Sequence, residues 1–127
     1  MAETQPTVLF VEDALDTRDL IEYALRHEGF AVTTARTADE GLTLARENEY
    51  ALILLDIGLP DKDGLALCRE LRDLGLKMPV LLYTAYSELL DAEEVESAGA
   101  QRVLRKPEDT AELGSIVRSF VAAAAAE

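Results

Sequence analysis

The sequence has few of the residues that form disulfides and structural zinc sites. It contains one cysteine, Cys68, and one histidine, His27. A single cysteine cannot form an internal disulfide, and one cysteine with one histidine is too few for the four ligands of a structural zinc site. Cys68 lies at helical spacing with Leu67, Leu71 and Leu74, so we predict an unreactive thiol in the core.

Basic residues and long hydrophobic runs are also scarce. Twelve Lys and Arg against 25 Asp and Glu give a net charge of -13. Nucleic acids and anionic membranes are bound through cationic contacts to phosphate, so we expect neither as a partner. No apolar stretch reaches 18 residues, and residues 1–6 have neither a basic nor a hydrophobic region. These absences predict a soluble cytoplasmic protein.

Short apolar runs alternate with amphipathic stretches along the 127 residues. The runs are too short for helices and are typical of buried parallel strands; they cover residues 8–11, 31–34, 52–55, 80–83 and 103–104. Helices are predicted after them, the third over residues 64–74, the fourth over residues 88–98 and the fifth from residue 110. The alternation predicts one α/β domain, a parallel sheet with helices on both faces.

Polar groups follow four of the predicted strands where each strand ends. Glu12 and Asp13 follow the first strand, Asp56 the third, Thr84 the fourth and Lys106 the fifth. Because the carboxyl ends of parallel strands meet at one edge of the sheet, we expect these side chains to form one site. Three carboxylates within about 5 Å repel by about 3 kcal/mol per pair at an effective dielectric constant of 20. A cation is therefore required, and Mg²⁺ with oxygen ligands fits.

The residue types at this edge indicate phosphoryl chemistry. Asp56 is the candidate nucleophile, because a carboxylate can accept a phosphoryl group and form an aspartyl phosphate. Lys106 offers a positive charge for a phosphoryl oxygen, and Thr84 offers a hydroxyl donor. Each residue alone has an ordinary explanation, such as a helix cap for Asp13. The combination of these groups in one place carries the inference.

The motifs around these residues resemble the receiver domains of two-component response regulators. The resemblance covers about residues 7–121 and rests on five segments: Val11-Glu12-Asp13, residues 55–64, Tyr83-Thr84-Ala85, Ala98-Gly99-Ala100 and Lys106-Pro107. It implies a flavodoxin-like, doubly wound (βα)5 fold with strand order 2-1-3-4-5. Residues 1–6 would form an N-terminal tail, and residues 122–127 an alanine-rich extension of the last helix or a frayed tail.

The resemblance also implies a role for each site residue. Asp56 would be the phosphoacceptor, Thr84 the switch hydroxyl and Lys106 the phosphate-pairing lysine. The implied ligands of Mg²⁺, or of Mn²⁺ in its place, are three carboxylates and one backbone carbonyl: Glu12, Asp13, Asp56 and Gly58. The Lys106-Pro107 peptide bond is expected to be cis.

Phosphorylation-activated signalling is the implied function. The phosphoryl group would come from a sensor histidine kinase or a histidine phosphotransfer protein, and self-phosphorylation and slow self-dephosphorylation would be the only catalysis. A downstream protein would bind the face formed by the fourth helix, fifth strand and fifth helix. Gln101-Arg102 lacks the paired acids of receivers that dimerise through this face, so we expect a monomer or weak dimer.

Two positions depart from the family pattern. Val103 stands three residues before Lys106, where receivers commonly have an aromatic residue, and Glu108 stands where phenylalanine is frequent. We hypothesise that Tyr83 or Tyr86, on either side of the switch hydroxyl, supplies the missing aromatic side chain.

Three alternative functions fit the residues less well than phosphorylation does. A pseudo-receiver scaffold that binds a partner without phosphorylation is disfavoured by the presence of all five site residues. A flavin site of the same fold class is disfavoured by the acids Glu12, Asp13 and Asp16, which would repel the flavin phosphate. A hydrolase is disfavoured because Gly58 stands where aspartate-based phosphatases have a second acid. The sequence leaves open a free-standing regulator, a phosphorelay intermediate or part of a longer chain.

Overall fold

The computed structural model describes residues 5–126, so residues 1–4 of the expected N-terminal tail and residue 127 lie outside the described residues. Five parallel strands form one sheet in the order β2-β1-β3-β4-β5. The strands are β1 (Thr7–Val11), β2 (Ala31–Ala35), β3 (Leu52–Asp56), β4 (Val80–Thr84) and β5 (Arg102–Arg105). The predicted α/β class and the order 2-1-3-4-5 are confirmed.

Helices follow every strand in the described part of the chain. They are α1 (Leu15–His27), α2 (Ala38–Glu47), α3 (Gly64–Asp73), α4 (Ala92–Ala98) and α5 (Leu113–Ala125). Single 3-10 turns, Ser87–Leu89 and Thr110–Glu112, precede the last two helices. None of the helices within residues 5–126 has the length and apolar character to cross a membrane.

The fourth helix begins later than the sequence predicted. Its predicted start at residue 88 is wrong, because the chain first makes a 3-10 turn and enters α4 only after Asp91. The Asp91 carboxylate accepts a hydrogen bond from the Glu93 backbone N–H at 2.8 Å, which satisfies a free donor of the first turn. The fifth α-helix likewise begins at Leu113 and not at residue 110.

Two apolar layers enclose the sheet, because successive side chains of a strand point to opposite faces. One layer packs beneath α1 and α5 and includes Phe10, Leu54 and Tyr83. The other packs beneath α2, α3 and α4 and includes Leu55 and Cys68. Cys68 is fully buried, which confirms its predicted core position, and burial raises the pKa of its thiol.

The strand register brings the polar residues to one edge of the sheet. Val11 of β1 lies opposite Leu55 of β3, so the residues that follow each of them leave the sheet side by side. Asp56 lies opposite Tyr83 of β4, one residue before the end of that strand. The carboxyl ends of the three central strands therefore meet at one site.

Candidate functional site

Three carboxylates form the centre of the site. Glu12, Asp13 and Asp56 each offer a carboxylate oxygen, and these oxygens lie within 4.8 Å of one another. Glu12 is 1% exposed and Asp56 is 8% exposed, whereas Asp13 faces solvent. Two of the three carboxylates are thus removed from water. A carboxylate that is buried in this way requires a compensating positive charge.

Lys106 supplies one positive charge to this cluster. Its Nζ lies 2.8 Å from Glu12 Oε1 and 3.4 Å from Asp56 Oδ1. Burial disfavours the ammonium, but the hydrogen bond to Glu12 and the charges of Asp56 and Glu12 outweigh it, so the pKa of Lys106 is raised. The lysine is therefore charged at neutral pH, and it bridges the two buried acids.

The single ammonium does not fully compensate the cluster. Burial is the largest cause of a raised pKa at Glu12; the hydrogen bond from Lys106 opposes that shift, and the charge of Asp56 adds to it. Three carboxylates beside one ammonium retain a net negative charge. A hard divalent cation with oxygen ligands such as Mg²⁺ fits these donors.

Thr84 lies at the end of β4 beside this cluster and is buried. Its backbone carbonyl accepts a hydrogen bond of 2.8 Å from the Lys106 N–H, so the ends of β4 and β5 are joined at the site. Its hydroxyl oxygen accepts a hydrogen bond of 3.0 Å from the backbone N–H of Tyr86. The peptide bond between Lys106 and Pro107 is cis.

Comparison with known proteins identifies the family. Residues 8–118 match the family model described as "Response regulator receiver domain". The chain belongs to the response regulator receiver domain family. Receiver domains are signalling phosphoacceptors that bind Mg²⁺ at an acidic pocket, and the three clustered carboxylates form such a pocket here.

Relatives of this receiver domain include larger proteins. The transcriptional regulatory protein PmrA of Pectobacterium parmentieri is 39% identical over 114 residues, which are 90% of this chain and 51% of that protein. CseB of Streptomyces avermitilis is 39% identical over 121 residues, 95% of this chain and 51% of that protein. The chain therefore spans about half the length of these two curated relatives. An uncharacterised 14.6 kDa protein of Leptolyngbya boryana is 35% identical, and the match covers 91% of this chain and 90% of that protein.

Solved structures share the fold over nearly the whole chain. The response regulator protein TrrA from Thermotoga maritima in complex with Mg(2+)-BeF has a TM-score of 0.83 and 28% identity, with 91% of this chain and 99% of that chain covered. The receiver domain protein from Methanospirillum hungatei has a TM-score of 0.86 and 29% identity, with 93% and 94% covered.

A buried arginine that the sequence did not single out holds the backbone of Glu12 and Asp13. Arg18 of α1 is buried, and its guanidinium donates to the backbone carbonyls of Glu12 at 3.2 Å and Asp13 at 3.4 Å. These bonds hold the turn between β1 and α1 that carries both acids. The only signal for this role in the sequence is a position on α1 three residues before Ile21, on the face that packs against the sheet.

The loop between β3 and α3 is held by two of the acids that follow Asp56. Asp61 accepts hydrogen bonds from the backbone N–H groups of Ala38 at 2.8 Å and Asp39 at 2.9 Å, which lowers the pKa of Asp61. Asp63 caps α3 through the Ala66 N–H at 2.8 Å. Both acids thus bond backbone groups, and Asp61 joins this loop to the start of α2.

Two glycines of this loop have different surroundings. A Cβ on Gly64 would lie 2.4 Å from the backbone oxygen of Asp56, so the loop can return this close to β3 only with glycine. Gly58 lies in the exposed part of the loop, two residues after Asp56, and a Cβ there would meet nothing within 4 Å. The close approach at Gly64 restrains the backbone of the candidate acceptor.

The two tyrosines beside Thr84 lie in different environments. Tyr83 is 2% exposed and packs in the layer beneath α1 and α5, whereas Val103 packs in the layer on the opposite face. Tyr86 is 65% exposed. The ring of Tyr83 therefore does not occupy the space beside Val103, and a switching role for either tyrosine stays a prediction.

Proposed function

We propose that this receiver domain accepts a phosphoryl group on Asp56 from a sensor histidine kinase or a histidine phosphotransfer protein. The modified domain then changes conformation and regulates a partner. The arrangement of Asp56 against one ammonium and two further carboxylates carries the proposal. A buried carboxylate in contact with a charged lysine can act as a nucleophile while a phosphoryl oxygen pairs with that lysine.

In the proposed transfer, an Asp56 carboxylate oxygen attacks the phosphorus of a phosphohistidine. A new O–P bond forms as the N–P bond breaks, and the electron pair of the broken bond returns to the imidazole nitrogen, which keeps it or takes up a proton. Lys106, at present 3.4 Å from Asp56 Oδ1, would pair with a phosphoryl oxygen. Thr84 would donate its hydroxyl to another phosphoryl oxygen, which requires a movement from its present bond to the Tyr86 N–H.

The proposed metal ligands are Glu12, Asp13, Asp56 and the backbone carbonyl of Gly58. Mg²⁺, or Mn²⁺ as an alternative ion, would supply positive charge that offsets the repulsion between these acids and an incoming phosphoryl group. Arg18 orients the turn that carries Glu12 and Asp13, through bonds to their carbonyls.

Loss of the phosphoryl group would be slow. Water would attack the phosphorus, the O–P bond to Asp56 would break, and inorganic phosphate and the free carboxylate would result. Gly58, two residues after Asp56, has no side chain that could act as a general base for this water. The domain is therefore proposed as a phosphoacceptor with slow self-dephosphorylation.

The proposed output surface consists of α4, β5 and α5. Movement of the Thr84 hydroxyl would pull the segment that leads through the 3-10 turn at residues 87–89 into α4. We propose a downstream protein as the partner of this surface, a monomer or weak dimer as the state of the domain, and the cytoplasm as its location. A phosphate-driven change can shift the equilibrium only by the difference in its affinity for the two conformations.

Intact mass spectrometry tests the proposal. The wild type is incubated with Mg²⁺ and a small acyl phosphate donor, next to Asp56→Asn and to Asp73→Asn, a matched control at the exposed end of α3. The wild type and Asp73→Asn are expected to gain one phosphoryl group, and Asp56→Asn none. No gain with any donor or kinase would instead support the scaffold function.

A further inference from the structure

Two contacts of Tyr83 join the phosphorylation site to the start of α5. Lys106 Nζ lies 4.9 Å from the centroid of the Tyr83 ring. The hydroxyl of the same ring is hydrogen-bonded to the hydroxyl of Thr110. Thr110 is the first residue of the 3-10 turn that continues directly into α5. One buried side chain therefore contacts both the lysine of the site and the turn that leads into α5.

Tyr83 makes these two contacts on the face of the sheet opposite to the one that the Thr84 side chain faces. Tyr83 belongs to the layer beneath α1 and α5, with Leu113 of α5 as another member. The neighbouring strand residue Leu82 belongs to the layer beneath α4. Because adjacent side chains of a strand point to opposite faces, Tyr83 and Thr84 lead from one site to different helices.

The physical properties of tyrosine suit a connecting role. A buried ring with two side-chain torsions has little freedom, and its hydroxyl requires a hydrogen-bond partner when it is removed from water. The attraction between an ammonium and a ring depends on their separation, so a displacement of the ammonium changes the force on the ring. Lys106 also contacts Asp56 and Glu12, so its position depends on the charge at the acceptor.

We propose that Tyr83 is a positioning residue that couples Lys106 to Thr110, so that phosphorylation of Asp56 alters the first turn of α5. The inference rests on the proposed function, since it requires a phosphoryl group on Asp56. When Lys106 pairs with a phosphoryl oxygen, its ammonium shifts relative to the Tyr83 ring, and the ring carries the shift to Thr110.

Hydrogen exchange of the backbone amides at residues 110–117 measures this coupling. The full chain is compared before and after phosphorylation, with phosphoryl uptake recorded by intact mass on the same samples. In the wild type, exchange at these amides is expected to change by about fivefold, the equivalent of one hydrogen bond. In Thr110→Val the phosphorylation-induced change is expected to fall below about twofold, while phosphoryl uptake equals that of the wild type.

Ser115→Ala is the matched control within the same segment. Ser115 is exposed, and its hydroxyl donates to the Glu112 carbonyl at 3.0 Å. Its removal is expected to shift exchange equally with and without the phosphoryl group, which is the pattern of a merely structural role. Thr110→Val must instead reduce the difference between the two states.

Tyr83→Phe breaks the same hydrogen bond from its other end and keeps the ring. It is expected to reproduce the loss seen in Thr110→Val, and the double variant is expected to lose nothing further, since both changes remove one interaction. This second variant also keeps the test valid if the valine substitution prevents folding.

The outcomes separate the coupling from the function on which it rests. A wild type that takes up the phosphoryl group but shows no change at residues 110–117 overturns the coupling alone. A full change in Thr110→Val, or additive losses in the double variant, does the same. A wild type that takes up no phosphoryl group overturns both, and the mass measurement identifies that case.

Discussion

Replacement of Lys106 by methionine removes the cation that bridges the two buried acids. At an effective dielectric constant of 20, its ammonium attracts Glu12 at 2.8 Å by about 6 kcal/mol and Asp56 at 3.4 Å by about 5 kcal/mol. The desolvation of the ammonium offsets most of this gain, and breaking a buried pair typically costs about 3–5 kcal/mol. The lysine side chain is 21% exposed, so we expect the lower end, a loss of about 3 kcal/mol.

Urea unfolding in the presence of a chelator measures this loss. Lys77→Met is the matched control, because Lys77 is exposed at the far end of the fold between α3 and β4, and its change is expected to stay within about 0.5 kcal/mol. Addition of Mg²⁺ is expected to stabilise Lys106→Met by about 1 kcal/mol more than the wild type, because no ammonium then competes for the Glu12 carboxylate.

Two results would contradict this role of Lys106. A loss below about 1 kcal/mol would mean that Lys106 behaves as an ordinary surface charge. Equal stabilisation of the variant and the wild type by Mg²⁺ would mean that the ion and the ammonium do not share the carboxylates.

Three further substitutions test other parts of the site. Burial raises the pKa of Glu12, so the native state binds the Glu12 proton more tightly than the unfolded state does. Without metal, the free energy of unfolding therefore falls as the pH rises from 4.5 through the raised pKa. Glu12→Gln should flatten the pH dependence of the urea midpoint over this range. Gly64→Ala places a Cβ against the backbone oxygen of Asp56, so it should lower the free energy of unfolding in urea by about 2 kcal/mol and slow phosphorylation. Gly58→Ala should change the free energy of unfolding by no more than about 0.5 kcal/mol. Hydrogen bonds from Arg105 lower the pKa of Asp109 to about 2. The ionised carboxylate therefore contributes to folding stability above pH 3.8, and this contribution is lost as the pH falls through 2. Asp109→Asn should therefore lose about 1 kcal/mol at pH 7 and clearly less at pH 2, where the carboxyl is partly protonated, and an equal loss at both would contradict the ion pair.

The sheet and the location of the site could be predicted from the chain because both depend on local patterns. Alternation of short apolar runs with amphipathic segments determines a parallel sheet, and the polar residue after each run must lie at its carboxyl edge. The start of α4 was harder to predict. Residues 87–91 have helical composition, but the capping carboxylate of Asp91 competes with continuation of the helix from residue 88.

The contacts that depend on three-dimensional packing could not be read from the sequence. The bonds from Arg18 to two backbone carbonyls require the start of α1 to place the Arg18 side chain against the turn after β1. The preference of Lys106 for Glu12 over Asp56 depends on differences of less than 1 Å, which no residue pattern encodes. The face of the sheet to which Tyr83 points could have been predicted, because adjacent residues of a strand point to opposite faces.

Chemical trapping of the phosphorylated residue shows which carboxylate accepts the phosphoryl group. Borohydride reduces an aspartyl phosphate to homoserine, so peptide mass spectrometry after treatment with a phosphodonor and Mg²⁺ locates the acceptor. We predict homoserine at position 56 in the donor-treated wild type, and none there in the sample without donor. Homoserine at Asp13 or at another acid, or at no position despite a cognate kinase, would contradict Asp56 as the phosphoacceptor.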